Sequence, residues 1–198
     1  MRKLWILCGA VAVVISNPAW GIGTYKYWDG SNYIYPFGCN VPSPTTFGEV
    51  VTAPVGKSHL NKFTFSLKNF DGERGSMILR GFVYAWDGTK ATGDALYESK
   101  GRTIAFQDDA FHSESFNTGG VAVLSGSQYV IFASMGTTRK DYGRCTRPYN
   151  LGWGYIGEDV YTGGYFVFSY DNRRRWTEPP GWEGLGPKDL AFEADFSR

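Results

Sequence analysis

Apolar and polar residues alternate along most of this chain, and a period of two predicts β-strands. Within residues 60–69 the apolar side chains of Phe63, Phe65 and Leu67 alternate with polar ones, which predicts a strand with one solvent-exposed face. Residues 76–86 carry apolar side chains at both alternating sets of positions, which predicts a central strand covered on both faces. Helical periodicity is missing from the body of the chain, so the pattern indicates an all-β protein.

Further short strands are predicted at regular intervals, each bounded by Gly, Asn, Asp or Ser. They are Leu96–Ser99, Arg102–Phe106, Ser113–Asn117, Val121–Leu124, Gln128–Ser134, Gly152–Ile156, Tyr165–Tyr170 and Leu190–Ser197. The last strand has the clearest alternation, with an apolar row from Leu190 to Phe196. Short strands separated by turns, in a chain with 26 Gly, predict an antiparallel two-sheet sandwich of jelly-roll type. A single barrel is the alternative architecture.

Residues 1–21 have the pattern of a secretory signal peptide. A short basic start is followed by the apolar run Leu4–Ile15, and Ala19-Trp20-Gly21 places small residues where signal peptidase reads them. We therefore predict cleavage before Ile22. The apolar run would span only about 18 Å as a helix, against about 30 Å for a bilayer core. The mature protein is predicted to be secreted or periplasmic, with no stable membrane span.

The mature chain divides into an arm and one domain. Residues 22–44 are rich in Tyr and end in Pro-Ser-Pro, which predicts an extended arm packed across a sandwich formed by residues 45–198. One of the three cysteines lies within the signal, which leaves Cys39 and Cys145. Because an exported protein meets an oxidising compartment, we predict a disulfide bond between them.

The charge of the chain argues against nucleic acid as a partner. Removal of Arg2 and Lys3 with the signal changes the formal net charge from +1 to −1. Binding to nucleic acid needs a concentrated basic surface, which scattered Lys and Arg do not provide. The one basic cluster, residues 173–175, is interpreted as a solvated loop tip.

Motifs for catalysis are missing from the sequence. It has two histidines and no G-x-S-x-G, H-E-x-x-H, phosphate-binding or EF-hand pattern. His112 follows Asp108 and Asp109 closely, and we interpret this stretch as a solvated turn. A carboxylate-based glycoside hydrolase remains an alternative, because such an enzyme needs only two facing carboxyl groups. The candidate carboxyl groups are Glu98, Glu114, Glu158 and Asp159.

Aromatic residues in predicted loops favour binding over catalysis. Sugars present C–H faces that lie against Trp and Tyr rings, while neighbouring polar groups bind the hydroxyls. Trp176, beside Arg175, is the first choice for an exposed platform. The full set of predicted ligand-binding residues is Trp176, Trp182, Trp153, Tyr155, Arg175 and Asp159. The arm adds loop aromatics at Tyr25, Tyr27 and Trp28. For each loop Trp taken singly, packing is favoured over ligand contact, because a sandwich with long loops needs large rings to seal its ends, and Trp86 is assigned to the core.

No cofactor or resident metal is predicted. Calcium is the alternative, since sugar-binding sandwiches often hold it in a loop cage of oxygen ligands. Asp87, Asp94 and Asp159 lie in turn-like stretches beside Gly or polar residues. Asp87 is expected instead to cap the turn that it begins with Gly88.

Several stretches resemble a group of uncharacterised exported bacterial proteins, whose members often carry a C-terminal PEP-CTERM sorting tail. The resemblance is carried by residues 82–93 (FVYAWDGTKATG), 95–99 (ALYES), 63–65 (FTF), 116–120 (FNTGG), 153–155 (WGY), 163–168 (GGYFVF) and 189–192 (DLAF). It covers roughly residues 45 to 197 and implies kinship of fold, with no activity to transfer. The chain ends at Arg198 without a Pro-Glu-Pro motif or a second apolar helix, so anchoring by that route is not expected.

Together these observations predict an exported, non-catalytic module that binds glycan or another extracellular polymer through loop aromatics. The alternative is a structural or adhesive surface protein that contacts another protein through a sandwich edge or the arm. The carboxylate-based hydrolase is the second alternative.

Overall fold

The computed structural model describes residues 20–38, 43–69, 75–106, 108–138, 151–171 and 175–198. Within these ranges the protein is built from β-strands and one short 3-10 turn, Tyr25–Tyr27. In chain order the strands are β1 (Trp20–Gly23), β2 (Tyr33–Phe37), β3 (Thr46–Thr52), β4 (His59–Asn69), β5 (Gly75–Trp86), β6 (Ala91–Glu98), β7 (Arg102–Phe106), β8 (His112–Ala122), β9 (Gln128–Met135), β10 (Leu151–Ile156), β11 (Tyr165–Ser169), β12 (Glu183–Gly184), β13 (Asp189–Leu190) and β14 (Phe192–Ser197). No helix in the described ranges is long and apolar enough to cross a membrane.

The strands form two antiparallel sheets of seven strands each, which confirms the predicted all-β sandwich. In the first sheet β4 pairs with β8, with β14 and with β10; β1 extends the sheet beyond β14, and β2 and β13 pair with β10. The second sheet has the order β12, β11, β3, β9, β5, with β6 and β7 pairing with different parts of β5. The inner faces of both sheets pack into one hydrophobic core.

The alternation in β4 sets its inner face as predicted. Phe63, Phe65 and Leu67 are fully buried in the core between the sheets. The prediction that the other face is solvent-exposed is wrong, because Thr64 and Ser66 are also buried. Ser66 Oγ lies 3.2 Å from Tyr25 Oη, so a residue of the arm covers this face.

The prediction for β5 is confirmed, because both of its faces are buried. One set of side chains, including Met77, Leu79 and Val83, joins the core between the sheets. The other set, including Phe82 and Trp86, packs in a second cluster on the outer face of the second sheet. The alternation with a period of two therefore assigned the apolar side chains of β5 to the correct faces of the strand.

Two boundaries differ from the predictions for local reasons. The predicted strands Ser113–Asn117 and Val121–Leu124 are joined in β8, because Gly119 and Gly120 take positive φ angles of 75° and 89° and let the pairing with β4 continue through an irregularity. The predicted strand Leu190–Ser197 is divided at Ala191, whose N–H donates to the carbonyl of Gly154 in β10.

The arm is more ordered than predicted, because two of its segments are strands of the first sheet. β1 pairs with β14, and Gly21 and Ile22, on either side of the predicted cleavage, both take part. Just beyond, the buried Thr24 donates through Oγ1 to the carbonyl of Leu190 at 2.6 Å and accepts from Phe192 N–H at 2.9 Å. Cleavage before Ile22 stays a prediction, and it leaves these Thr24 contacts intact.

Cys39 and Cys145 lie outside the described residues, so their bond stays a prediction. We expect peptide mapping of exported protein under non-reducing conditions to give one peptide pair linked through Cys39 and Cys145. The same map after reduction is the control, and two alkylated thiols in the unreduced sample would contradict the bond.

Candidate ligand-binding surface

Trp176 is not an exposed platform, and that prediction is wrong. Its side chain is 0% exposed, and its indole N–H donates to the carbonyl of Asp171 at 2.8 Å. The ring lies 4.8 Å from both Phe82 and Phe132 in the outer cluster of the second sheet. These strand rings face away from the core between the sheets, so another hydrophobic group must cover them. Trp176 is that cover.

The neighbours of Trp176 serve the same packing. Trp182 is half-buried, contacts the Phe132 ring at 5.1 Å, and donates its indole N–H to the carbonyl of Trp176 at 2.9 Å. Arg175 is exposed, but its Nε lies 2.7 Å from the carboxylate of Asp171. The segment from Arg175 to Trp182 is thus fastened to the second sheet.

The remaining predicted residues do not join this segment. Trp153 is fully buried in the core between the sheets, where its ring lies 5.0 Å from Phe37. Tyr155 follows two positions later on the same strand face and contacts Phe166, so it too points inward. Asp159 lies exposed in the following loop. The six predicted ligand-binding residues therefore do not form one surface.

A different group of rings lies on the outer face of the first sheet. We call it the arm surface; its members are Tyr25, Trp28, Tyr33, Tyr35, Phe111 and Lys68. The centroids of Tyr25 and Trp28 are 6.1 Å apart, and the Trp28 ring meets Phe111 edge-on at 4.7 Å. Tyr33 and Tyr35 are neighbours at 6.1 Å. Tyr35 is 53% exposed, and the other rings are half-buried.

Two glycines in β10 leave space for two of these rings on the outer face of the strand. Gly152 and Gly154 flank Trp153, so they are on the strand face opposite to the core. A Cβ atom at Gly154 would lie 2.9 Å from Cζ2 of Trp28, and one at Gly152 would lie 3.0 Å from Cδ2 of Tyr33. Any larger residue would lift the rings off the sheet.

Local hydrogen bonds hold the arm in this position. The Trp28 indole N–H donates to the carbonyl of Asn32 at 2.7 Å. The Asp29 carboxylate accepts N–H bonds from Asn32 and Ser31, and these bonds hold the pKa of Asp29 below its usual value. Burial raises the pKa of Tyr25, whose hydroxyl group packs against Ser66. The surface is therefore organised before any ligand arrives.

Sequence reasoning found only part of the arm surface. Tyr25 and Trp28 were identified as loop aromatics of the arm, whereas the other members were missed: Tyr33, Tyr35, Phe111 and Lys68. Lys68 belongs to a strand and Phe111 precedes one, so nothing in their neighbourhood relates them to the arm. The signal that could have located the surface is the pair of glycines on either side of Trp153, because alternate glycines leave one strand face bare.

A polar cavity of about 190 Å³ lies at the edge of the sandwich between β7 and β8. Arg102, Ile104, His112 and Glu114 contribute to its lining. Arg102 and Glu114 form an ion pair at 2.5 Å across it, and burial raises the pKa of Glu114 against the opposing effect of Arg102. His112 Nε2 lies 2.8 Å from the exposed Asp108 carboxylate, and this contact lowers the pKa of Asp108.

The Asp87 carboxylate caps its own turn, as the sequence analysis expected. Its Oδ1 accepts the N–H groups of Thr89 and Lys90, both at 2.9 Å, and these bonds lower its pKa. Among the described residues no group of three or more His, Cys, Asp or Glu side chains is arranged to hold a metal ion. The calcium alternative therefore has no supporting cluster in this part of the chain.

Among the described residues, the carboxyl groups of Glu49 and Asp189 come together, and both are fully buried. Glu49 Oε2 accepts the Leu190 N–H at 3.0 Å, and Asp189 Oδ2 accepts the N–H groups of Val160 and Tyr161. Apart from the interaction between the two side chains, their other oxygens, Oε1 and Oδ1, have no hydrogen-bond partner among the described residues. Burial raises the pKa of Glu49 well above its usual value, and the nearby Asp189 carboxylate adds to this effect. Burial also raises the pKa of Asp189.

Comparison with known proteins gives no relative from which a role could be transferred. No protein-family model matches the chain. No curated protein matches it. No solved structure matches it. The resemblance to exported bacterial proteins stays an expectation.

Proposed function

We propose that this protein is an exported β-sandwich module that binds glycan or another extracellular polymer through the arm surface, without catalysis. The observation that carries the proposal is the row of partly exposed rings from Tyr25 to Tyr35, held on the sheet by the bare face of β10. Sugar C–H groups pack on the faces of partly exposed aromatic rings. The proposal moves the binding role from Trp176 to the arm.

The shape of this surface suits a polymer better than a small molecule. Pockets that enclose small ligands measure about 300–1,000 Å³. The edge cavity of about 190 Å³ falls below this range. A row of rings along one face of a sheet can stack against successive sugars of one chain. A polysaccharide is therefore the favoured class of ligand.

The hydrolase alternative has less support. Hydrolysis needs two carboxyl groups on either side of an accessible sugar bond. In the part of the chain that the structure describes, Glu49 and Asp189 converge, but both are fully buried and no sugar can reach them. In the edge cavity, Glu114 is already paired with Arg102.

The adhesive alternative has one observation in its favour. Val55 and Leu124 are 91% and 73% exposed on two neighbouring turns at one end of the sandwich. Gly126 N–H donates to the carbonyl of Ala53 and so ties these turns together. Exposed apolar side chains of this kind mark contacts with other proteins, but two residues make a small patch.

Affinity electrophoresis in gels containing different polysaccharides tests the proposal. We expect at least one polysaccharide to retard the wild-type protein, and Trp28→Ala and Tyr35→Ala to lose most of the retardation because ring stacking is lost. Tyr170→Ala is the matched control, since Tyr170 is 52% exposed but lies on β11's side of the molecule, outside the arm surface.

Retardation that survives both arm substitutions would contradict the assignment of the arm surface. A protein that no polysaccharide retards, but that cross-links to another protein on intact cells, would replace the proposal by the adhesive alternative.

A further inference from the structure

Lys68 occupies an unusual place in the middle of the arm surface. Its Nζ lies 5.1 Å from the ring centroid of Tyr33 and 5.3 Å from that of Phe111. Its Cγ lies close above Gly152, so the aliphatic stem rests on β10. Contacts of an ammonium group with two ring faces hold the cation in position. Lys68 therefore holds a positive charge in a fixed position among the rings of the arm surface.

This ammonium group has no ion-pair partner among the described residues. A second lysine on the same face of β4 shows the contrast, because Lys62 Nζ lies 3.1 Å from the Asp195 carboxylate. The carboxylates that lie close in sequence to rings of the arm surface have other partners: Asp29 accepts the N–H groups of its own loop, and Asp108 contacts His112. A half-buried cation without an anion is the complement of an anionic ligand.

We propose that the arm surface selects anionic polysaccharides, with the acidic group of a sugar bound to Lys68 and the sugar rings stacked on its aromatic neighbours. This inference rests on the proposed function and names its class of ligand. Carboxylated and sulfated polymers share the required chemistry. The rings hold Lys68 in advance, so little side-chain freedom is lost when the anion binds.

The test compares retardation by polygalacturonate, by dextran sulfate and by neutral dextran and galactan, each at low and moderate salt. We expect one or both anionic polymers to bind at least about tenfold more tightly than the neutral ones, with binding that weakens as salt rises. Lys68→Gln should lose about tenfold in affinity for the anionic polymer and change little toward neutral ones. The two anionic gels distinguish carboxylate from sulfate recognition.

Lys62→Gln is the matched control, because it removes an equal charge from the same strand face but one that is already paired. It should retain nearly all of the anionic binding. Thermal unfolding of both variants should match the wild type, which excludes misfolding as the cause. Equal effects of the two substitutions, or neutral polymers that bind as tightly as anionic ones, would overturn the inference while leaving the proposed function in place. If none of the gels retarded the wild-type protein, that result would instead count against the proposed function.

Discussion

Replacing Trp176 with Ala is expected to lower the free energy of unfolding by about 3–5 kcal/mol. The substitution removes a fully buried ring that contacts Phe82 and Phe132, and it leaves the carbonyl of Asp171 without its indole donor. The outer cluster of the second sheet would be opened to water. Urea unfolding, followed by fluorescence and circular dichroism, measures the effect.

Trp176→Phe is the control for this substitution. It keeps an aromatic ring in the outer cluster and removes the hydrogen bond, so we expect a cost of about 1–2 kcal/mol. An alanine variant as stable as the phenylalanine variant would show that Trp176 does not seal the sheet. Neither substitution touches the arm surface, so the two variants change stability without changing the proposed binding site.

The second large effect is a loss of stability as pH rises, caused by Glu49. Its pKa in the folded protein is raised by burial and by Asp189, whereas the unfolded chain has an ordinary carboxyl pKa. The folded state therefore holds a proton that the unfolded state releases. This contribution to stability is complete below about pH 4, and it is lost as pH rises toward the raised pKa of Glu49. Asp189 acts in the same direction, because its pKa is also raised.

The slope should approach about 1.4 kcal/mol per pH unit over the range in which one such proton is released on unfolding. We expect Glu49→Gln to flatten this slope and to be more stable than the wild type at alkaline pH. Its amide oxygen can accept the Leu190 N–H, and its amide N–H₂ can donate to Asp189 Oδ1. Urea unfolding between pH 5 and pH 9 measures both proteins.

Glu158→Gln serves as the control, because it neutralises an exposed carboxylate of the loop after β10. It should keep the wild-type slope. If Glu49→Gln kept the same slope as the wild type, or lost stability at every pH, Glu49 would not be the group that holds a proton in the folded protein and releases it on unfolding.

The strand β3 shows why one central strand was missed from the sequence. Gly48 and Glu49 interrupt its apolar alternation, although Phe47 and Val51 both join the core. Gly48 is required by packing, since a Cβ atom there would lie 2.5 Å from Cβ of Phe132. Glu49 points into the sandwich because the Leu190 N–H meets it there. Both reasons involve residues distant in sequence.

The aromatic residues show the same limit for the candidate site. Trp86 was assigned to the core from its position in a doubly covered strand, and it is buried. Trp176 was assigned to the surface because it follows a basic cluster in a loop. Local sequence could not show that rings from β5 and β9 leave an apolar face that needs a cover. For the same reason the sequence did not identify Lys68, which meets the rings of Tyr33 and Phe111 only when the arm packs on the sheet.

The alternation of side chains by itself determined the fold class, the inner faces of β4, β5 and β14, and most strand positions, because a strand's two faces follow from local geometry alone. Tertiary structure decided which outer faces are covered, which rings stay accessible and where charges meet. Those outcomes depend on segments that approach one another across the sheets, such as the arm over β10 and residues 175–182 over the second sheet. Their contact energies have no local signature in the chain.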